Sequence, residues 1–399
     1  MTAGPPVRPA WKCTPVMTAS FLYTTPIRTY SPLFAGILGP ANVSCAITWS
    51  GSRQVLPAPS GEMGNRTVKR TLGVSGCAIG TILAAVLLLM TGWERADKAY
   101  GQNEGERRRS DLSPIELPGG SIVEFKTMVS KDLSGEEPYS IFLPPSFRRE
   151  PSRTYPVVYF LHGLNNDQTS WTVDRYGDLQ NKVEQLILEK KIPEIIMVHP
   201  FGNNSFYCNY ADGTKRYEDF ITGELVSYIE SNYRAQKGRE NRAIGGTSMG
   251  GYGALKIAMK RPDLYSATAA HSPIIFLGRN PLDVPDELKS SRYFQYFESI
   301  LKRIFGDPLQ QDLWEANNPL VLARSGKLNG LRIYFDYGTA DRYIQSIHLD
   351  QGIQALDRTL TEAGVPHTYH VYAGEPHGWA LVSLHIDESL PFLCQSFAR

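Results

Sequence analysis

The chain of 399 residues is too long for one small module, and at about 150 residues per domain it predicts two or three units or one large α/β unit. Apolar residues make up 42% and charged residues 20%, a balance that supports a large core and excludes global disorder. Forty-one Lys+Arg against forty Asp+Glu leave a formal charge of +1, so the basic footprint of a nucleic-acid binder is missing. None of the five cysteines (Cys13, Cys45, Cys77, Cys208, Cys394) forms a CxxC pair, which argues against a zinc ribbon or a dense disulfide scaffold. Cys208 and Cys394 could pair in an oxidising compartment.

The N-terminal third differs from the rest. From Met1 to Gly61 there is no Asp or Glu, and Arg8, Lys12, Arg28 and Arg53 are scattered among Pro, Ser, Thr and Gly. Such a stretch has no helical or strand period, so residues 1–62 are expected to be a disordered leader. Met63 then opens a short basic segment with Arg66, Lys69 and Arg70, followed by an uncharged run from Thr71 to Trp93. Basic start, apolar run and polar continuation, over 63–100, form the grammar of an export signal. At about 20 residues the run is also long enough to span a bilayer. Three readings stay open: a start at Met63 with a signal peptide, a start at Met1 with a signal-anchor helix, and an organellar transit peptide. The first two place everything after Trp93 outside the membrane, with contact to it only through this segment if it is not cleaved. Residues 101–114, with Arg107, Arg108 and Arg109, read as a charged linker.

Beyond the linker, strands alternate with helices. Ser121–Thr127 and Tyr139–Leu143 read as early strands, the second ended by Pro144-Pro145. The continuous apolar run Val157–Leu161 predicts a strand buried on both faces of a parallel sheet, and Ile195–His199 a second. Asn181–Lys191 predicts a helix. Tyr217–Tyr233 predicts an amphipathic one, with Phe220, Leu225, Ile229 and Tyr233 near a 3.6-residue period. Asn241–Gly245 is a short strand running into the helix Gly251–Lys260. Tyr265–Ala270, Leu331–Asp336 and His367–Tyr372 supply three more strands; Ile353–Ala363 supplies a helix, and the last helix begins at Trp379. The fold class is therefore α/β, a mostly parallel central sheet with helices on both faces over residues 115–399.

Gly246-Thr247-Ser248-Met249-Gly250 is a G-x-S-x-G sequence placed between a predicted strand and a predicted helix. A sharp strand-to-helix turn forces its central residue into a strained conformation, and the flanking glycines remove the side chains that would clash. Ser248 is thereby presented at a helix N-terminus. A serine hydroxyl needs a base, and the base needs an orienting carboxylate. In this architecture they follow in the order Ser, Asp/Glu, His, each after a later strand. Asp341, in the loop after Leu331–Asp336, is the predicted acid, with Asp336 at the strand end as its rival. His377, in the loop after His367–Tyr372, is the predicted base. His367, His370 and His385 read as packed or solvated. One oxyanion donor is expected from the Met249 N–H and the other from Leu164, in the loop His162-Gly163-Leu164-Asn165-Asn166, with His162 as structural support.

At these residues the sequence resembles the putative-esterase family of α/β hydrolases, a group that includes feruloyl and acetylxylan esterases, enterochelin-esterase-like proteins, S-formylglutathione hydrolase and the mycolyltransferases. The matching blocks run from Tyr155–Gly163 through Ser170-Trp171, Tyr217–Phe220, Gly245–Leu255, Phe305-Gly306, Asn318-Pro319 and Gly338–Asp341 to Pro376–Trp379. The resemblance implies an α/β-hydrolase fold, a Ser248–His377–Asp341 triad with Leu164 and Met249 as oxyanion donors, and ester chemistry through an acyl-enzyme. It implies no metal or organic cofactor. The segment after Gly163 is Leu-Asn-Asn where the family has glycines.

The expected activity is a serine carboxylic-ester hydrolase acting on a small acyl, phenolic or carbohydrate ester. An acyltransferase of the mycolyltransferase kind and a silent hydrolase-like binding protein are the alternatives. The insertion 274–330 carries Tyr293, Phe294, Tyr296, Phe297, Phe305 and Trp314, either as an apolar cap over the acyl group or as packing onto the sheet. The loop Phe201–Tyr210 is expected to line the alcohol side of the pocket.

Overall fold

The computed structural model describes residues 112–397, except 173–177, 283, 285 and 326. The predicted leader, the apolar run 71–93, Cys13, Cys45, Cys77 and most of the linker lie outside the described residues. Among the described residues no helix is long and apolar enough to cross a membrane.

Val157–Leu161 forms strand β4, in which every side chain is buried. Val157, Tyr159 and Leu161 point into one hydrophobic core, and Val158 and Phe160 into a second on the opposite face of the sheet. That double burial is why the strand reads as an unbroken apolar run. Among the described residues nine strands make one sheet in the order β1-β2-β3-β5-β4-β6-β7-β8-β9. These are β1 Ile115–Glu116, β2 Ile122–Ser130, β3 Gly135–Leu143, β4, β5 Ile196–Pro200, β6 Arg242–Thr247, β7 Ala267–His271, β8 Arg332–Gly338 and β9 His367–Tyr372. β1, β2 and β3 are antiparallel additions on one edge, and β5 through β9 run parallel with β4.

Helices cover both faces. α1 (Leu179–Leu188) contributes apolar side chains to the second core. α2 (Tyr217–Asn232) and α3 (Met249–Lys260) pack into the first. Within α2, Phe220–Glu224 forms a π turn, which accommodates the five-residue step between the buried Phe220 and Leu225. The insertion holds α4 (Asp286–Lys289), α5 (Arg292–Phe305), α6 (Gln311–Glu315) and α7 (Pro319–Arg324). After β8 come α8 (Ile344–Ile347) and α9 (Leu349–Glu362), and α10 (Trp379–Cys394) closes the second core beside α1.

The aromatic insertion is settled largely as packing. Phe294, Phe297, Phe305 and Trp314 are buried, and Phe297 and Trp314 meet Phe206, Phe276 and Phe305 ring to ring. Only Tyr296 stays exposed among the described side chains of that aromatic set. In the loop 201–210, Phe206, Tyr207 and Cys208 are fully buried, whereas Phe201, Asn203, Asn204 and Asn209 are partly exposed. Cys208 and Cys394 are both free thiols, one in each core, so the sheet separates them.

Helix α3, which follows Ser248, is anchored by a buried charge. Lys256 of α3 has a fully buried side chain whose Nζ lies 2.7 Å from Glu218 Oε2 and donates to the Tyr207 carbonyl at 2.6 Å; Lys260 Nζ lies 2.5 Å from Glu218 Oε1. Burial pushes the Glu218 carboxyl up, but the two ammonium groups outweigh it and bring it from an ordinary 4.5 down to about 2. A depressed carboxylate stabilises the fold above its ordinary range, and the contribution disappears as pH falls towards the folded value. Glu218→Gln is therefore expected to cost about 3 kcal/mol at neutral pH. In urea unfolding, that gap from the parent should shrink steadily as the pH is lowered from 4.5 towards 2.

Candidate active site

The site lies where the topology reverses. From β4 the chain goes to β5 on one side and later to β6 on the other, which opens a crevice at the strands' C-terminal ends. Ser248 sits there, between β6 and α3, with φ 58° and ψ −117°. Only close backbone packing sustains such a conformation in a non-glycine residue. A Cβ on Gly246 would fall 2.4 Å from the Gly250 carbonyl oxygen, and one on Gly250 would fall 2.1 Å from the Leu161 carbonyl oxygen. Both glycines of the motif are thus fixed by backbone that cannot retreat. The Ser248 N–H donates to the His271 carbonyl at 2.8 Å, tying the turn to β7.

His377, in the loop between β9 and α10, reaches this serine: its Nε2 lies 2.8 Å from Ser248 Oγ. Its Nδ1 lies 2.5 Å from Asp341 Oδ2. A carboxylate only accepts, so Nδ1 carries the proton and Nε2 is left to accept from the hydroxyl. The other Asp341 oxygen accepts the Tyr343 N–H at 2.9 Å, which holds the carboxylate in orientation. Tyr343 also packs edge-on against the His377 ring at 4.6 Å. The three side chains are nearly enclosed, Ser248 being 6% exposed.

Asp336, the rival acid, is placed elsewhere. It is fully buried, with Oδ2 2.8 Å from His271 Nδ1, and His271 Nε2 meets Ser389 Oγ at 2.9 Å. This second Asp-His-Ser alignment is sealed from solvent, so no substrate reaches it. His162 is also buried, which lowers its pKa; its Nδ1 faces the Gly163 carbonyl at 2.8 Å and its Nε2 accepts the Gly202 N–H at 2.8 Å. It braces two loops rather than approaching Ser248.

The loop after β4 is brought to the serine by Gly163, where a Cβ would sit 3.3 Å from Ser248 Cβ. Leu164, the expected donor, is the next residue. Met249, the other, opens α3, where backbone N–H groups have no intrahelical acceptor. Trp379 Nε1 donates to Asn166 Oδ1 at 2.9 Å, joining the start of α10, beside His377, to the loop after β4. Asn165 and Asn204 exchange hydrogen bonds, and the Tyr296 hydroxyl of α5 donates to Asn165 Oδ1 at 2.6 Å. The sequence placed loop 201–210 and the insertion near the pocket but not their bonds to Asn165, because contacts between segments so far apart leave no local pattern. Among the described residues no group of three His, Cys, Asp or Glu is placed to hold a metal ion.

The family model described as "Putative esterase" matches residues 130–392. The chain belongs to this family of α/β hydrolases. It is 30% identical over 246 residues to Esterase Rv1288 of Mycobacterium tuberculosis, covering 59% of this chain and 51% of that protein. The chain thus spans about half the length of the curated relatives it matches. Among solved structures it resembles a ferulic acid esterase at 26% identity and TM-score 0.56, covering 70% of this chain and 99% of that one. The fold of an S-formylglutathione hydrolase from Agrobacterium tumefaciens also superposes, at 18% identity and TM-score 0.57, covering 72% and 99%.

The glycine packing gives a direct test. Gly250→Ala must displace backbone at β4 or α3 and is expected to destabilise by about 1–3 kcal/mol and to cost on the order of 100-fold in ester turnover. Gly251→Ala meets its neighbours only at 3.2 Å and should be far milder in both thermal melts and turnover.

Proposed function

We propose that the protein is a serine carboxylic-ester hydrolase with Ser248 as nucleophile, His377 as general base and Asp341 as the acid that orients it. The observation carrying this reading is the unbroken contact chain from Asp341 Oδ2 through both ring nitrogens of His377 to Ser248 Oγ. As Ser248 attacks the ester carbonyl, His377 Nε2 takes its proton, and Asp341 stabilises the resulting imidazolium. The Met249 and Leu164 N–H groups hold the developing oxyanion. The imidazolium then protonates the departing alcohol, and the acyl group stays on Ser248. Water deprotonated by the same histidine attacks the acyl-enzyme, and the carboxylic acid leaves. Every proton in the cycle passes through Nε2, so no further acid or base is required.

A small-molecule ester is the substrate class, and similarity to a ferulic acid esterase supports a phenolic acyl group. Ser248→Ala is expected to abolish turnover of p-nitrophenyl acetate and methyl ferulate. Asp341→Asn should keep the fold and lose about 10⁴-fold in kcat through the wrong histidine tautomer. Equal turnover in Ser248→Ala and the parent would refute the assignment. Free acid as the product in water, with no ester formed to an added sugar, is the result that favours hydrolysis over acyl transfer.

A further inference from the structure

Loop 373–378 carries His377 between β9 and α10. Gly374 and Gly378, on either side of it, have φ of 77° and 78°, where glycine is freest. Something outside the loop must hold the imidazole, because a shift of about 1 Å at a reacting group can cost on the order of 100-fold in rate.

Glu375 stands two residues before His377 and makes contacts in three directions. Its carbonyl accepts the N–H of Ala340, the neighbour of Asp341, at 2.9 Å. Its backbone lies so close to the end of β8 that a Cβ on Gly338 would be 2.2 Å from the Glu375 carbonyl oxygen. Its side-chain Oε2 lies 2.5 Å from His385 Nε2, on the second turn of α10. Acid loop, base loop and helix thus meet at one residue.

His385 is itself held from every side. Its Nδ1 lies 3.2 Å from Glu388 Oε1, and Tyr372 of β9 stacks flat on its ring at 3.4 Å between centroids. The Tyr372 hydroxyl donates to Glu388 Oε2 at 2.9 Å and meets the Tyr334 hydroxyl at 3.0 Å. Burial pulls the Glu388 carboxyl up, but hydrogen bonds from His385 and Tyr372 hold it below its ordinary value. The ring can donate to both carboxylates only when both nitrogens carry protons. A network of this connectivity holds geometry better than an isolated exposed ion pair.

We propose that Glu375 and His385 are positioning residues of the active site, the pair fixing loop 373–378 so that His377 stays between Asp341 and Ser248. The inference rests on the triad reading above. Neither side chain touches the reacting atoms; both act through the place they give His377.

The test compares kcat, KM and melting temperature for p-nitrophenyl acetate in Glu375→Ala, Glu375→Gln, His385→Ala and Ser248→Ala. Glu375→Ala and His385→Ala are expected to lower kcat about 10- to 100-fold with KM changed less than about twofold. Glu375→Gln keeps an acceptor for Nε2–H and should stay within about threefold of the parent. A variant carrying both Glu375→Ala and His385→Ala should be no worse than His385→Ala alone, because the Glu375–His385 contact is already lost in either single variant. Full turnover in folded Glu375→Ala or His385→Ala overturns the proposal, as does a glutamine variant impaired as badly as the alanine one. If Glu375→Ala fails to melt cooperatively, His385→Ala decides by the same criteria. Ser248→Ala separates the two levels: residual turnover there refutes the triad reading, whereas its silence beside a fully active Glu375→Ala refutes only the positioning role.

Discussion

A single backbone approach governs the site: Gly250 of α3 lies against the Leu161 carbonyl at the end of β4, with Gly246 facing Gly250 across the turn. No side chain fits in this space. The approach forces the tight exit from β6 and holds Ser248 in a backbone conformation that costs of order 1–3 kcal/mol when unsupported. The same contact draws β4 and its following loop to the serine, so Ser248 and that loop are set by one packing event. The buried Lys256–Glu218 pair secures the helix on its far side.

The remaining groups arrive because parallel strands end on one edge. β6, β8 and β9 deliver Ser248, Asp341 and His377 from their C-terminal loops, and the parallel run β6-β7-β8-β9 puts those loops on one edge of the sheet. Strand order alone does not align an imidazole to a few tenths of an ångström. Trp379 on Asn166 and Ala340 on Glu375 are contacts between separate segments that refine what the sheet makes approximate, and the Tyr343 N–H holds Asp341 from within its own loop.

The sequence displayed the parts governed by local rules. β4 and β5 were legible as unbroken apolar runs, and the glycines around Ser248 revealed the turn because only glycine satisfies it. Chain order singled out Asp341 and His377 for the loops that meet at Ser248. Other features depend on packing between distant segments. β2 and β3 extend past the predicted boundaries because Met128–Ser130 pairs with Gly135–Glu137 as a hairpin, with Ser134 rather than glycine at positive φ. Asp336 and Asp341 lie five residues apart near one strand end, and only the third dimension gives the first to His271 and the second to His377. The His385–Glu388 spacing on α10 was a visible signal, yet Glu375, the partner that gives it meaning, comes from the preceding loop.

The central claim is that the hydroxyl of Ser248 is activated by its contact with His377. Reaction with a fluorophosphonate, followed by peptide mapping of the adduct, measures this directly. The account predicts one adduct, on Ser248, formed rapidly in the parent and very slowly in folded His377→Ala. An adduct at another serine, or labelling of Ser248 at an undiminished rate without His377, would contradict it.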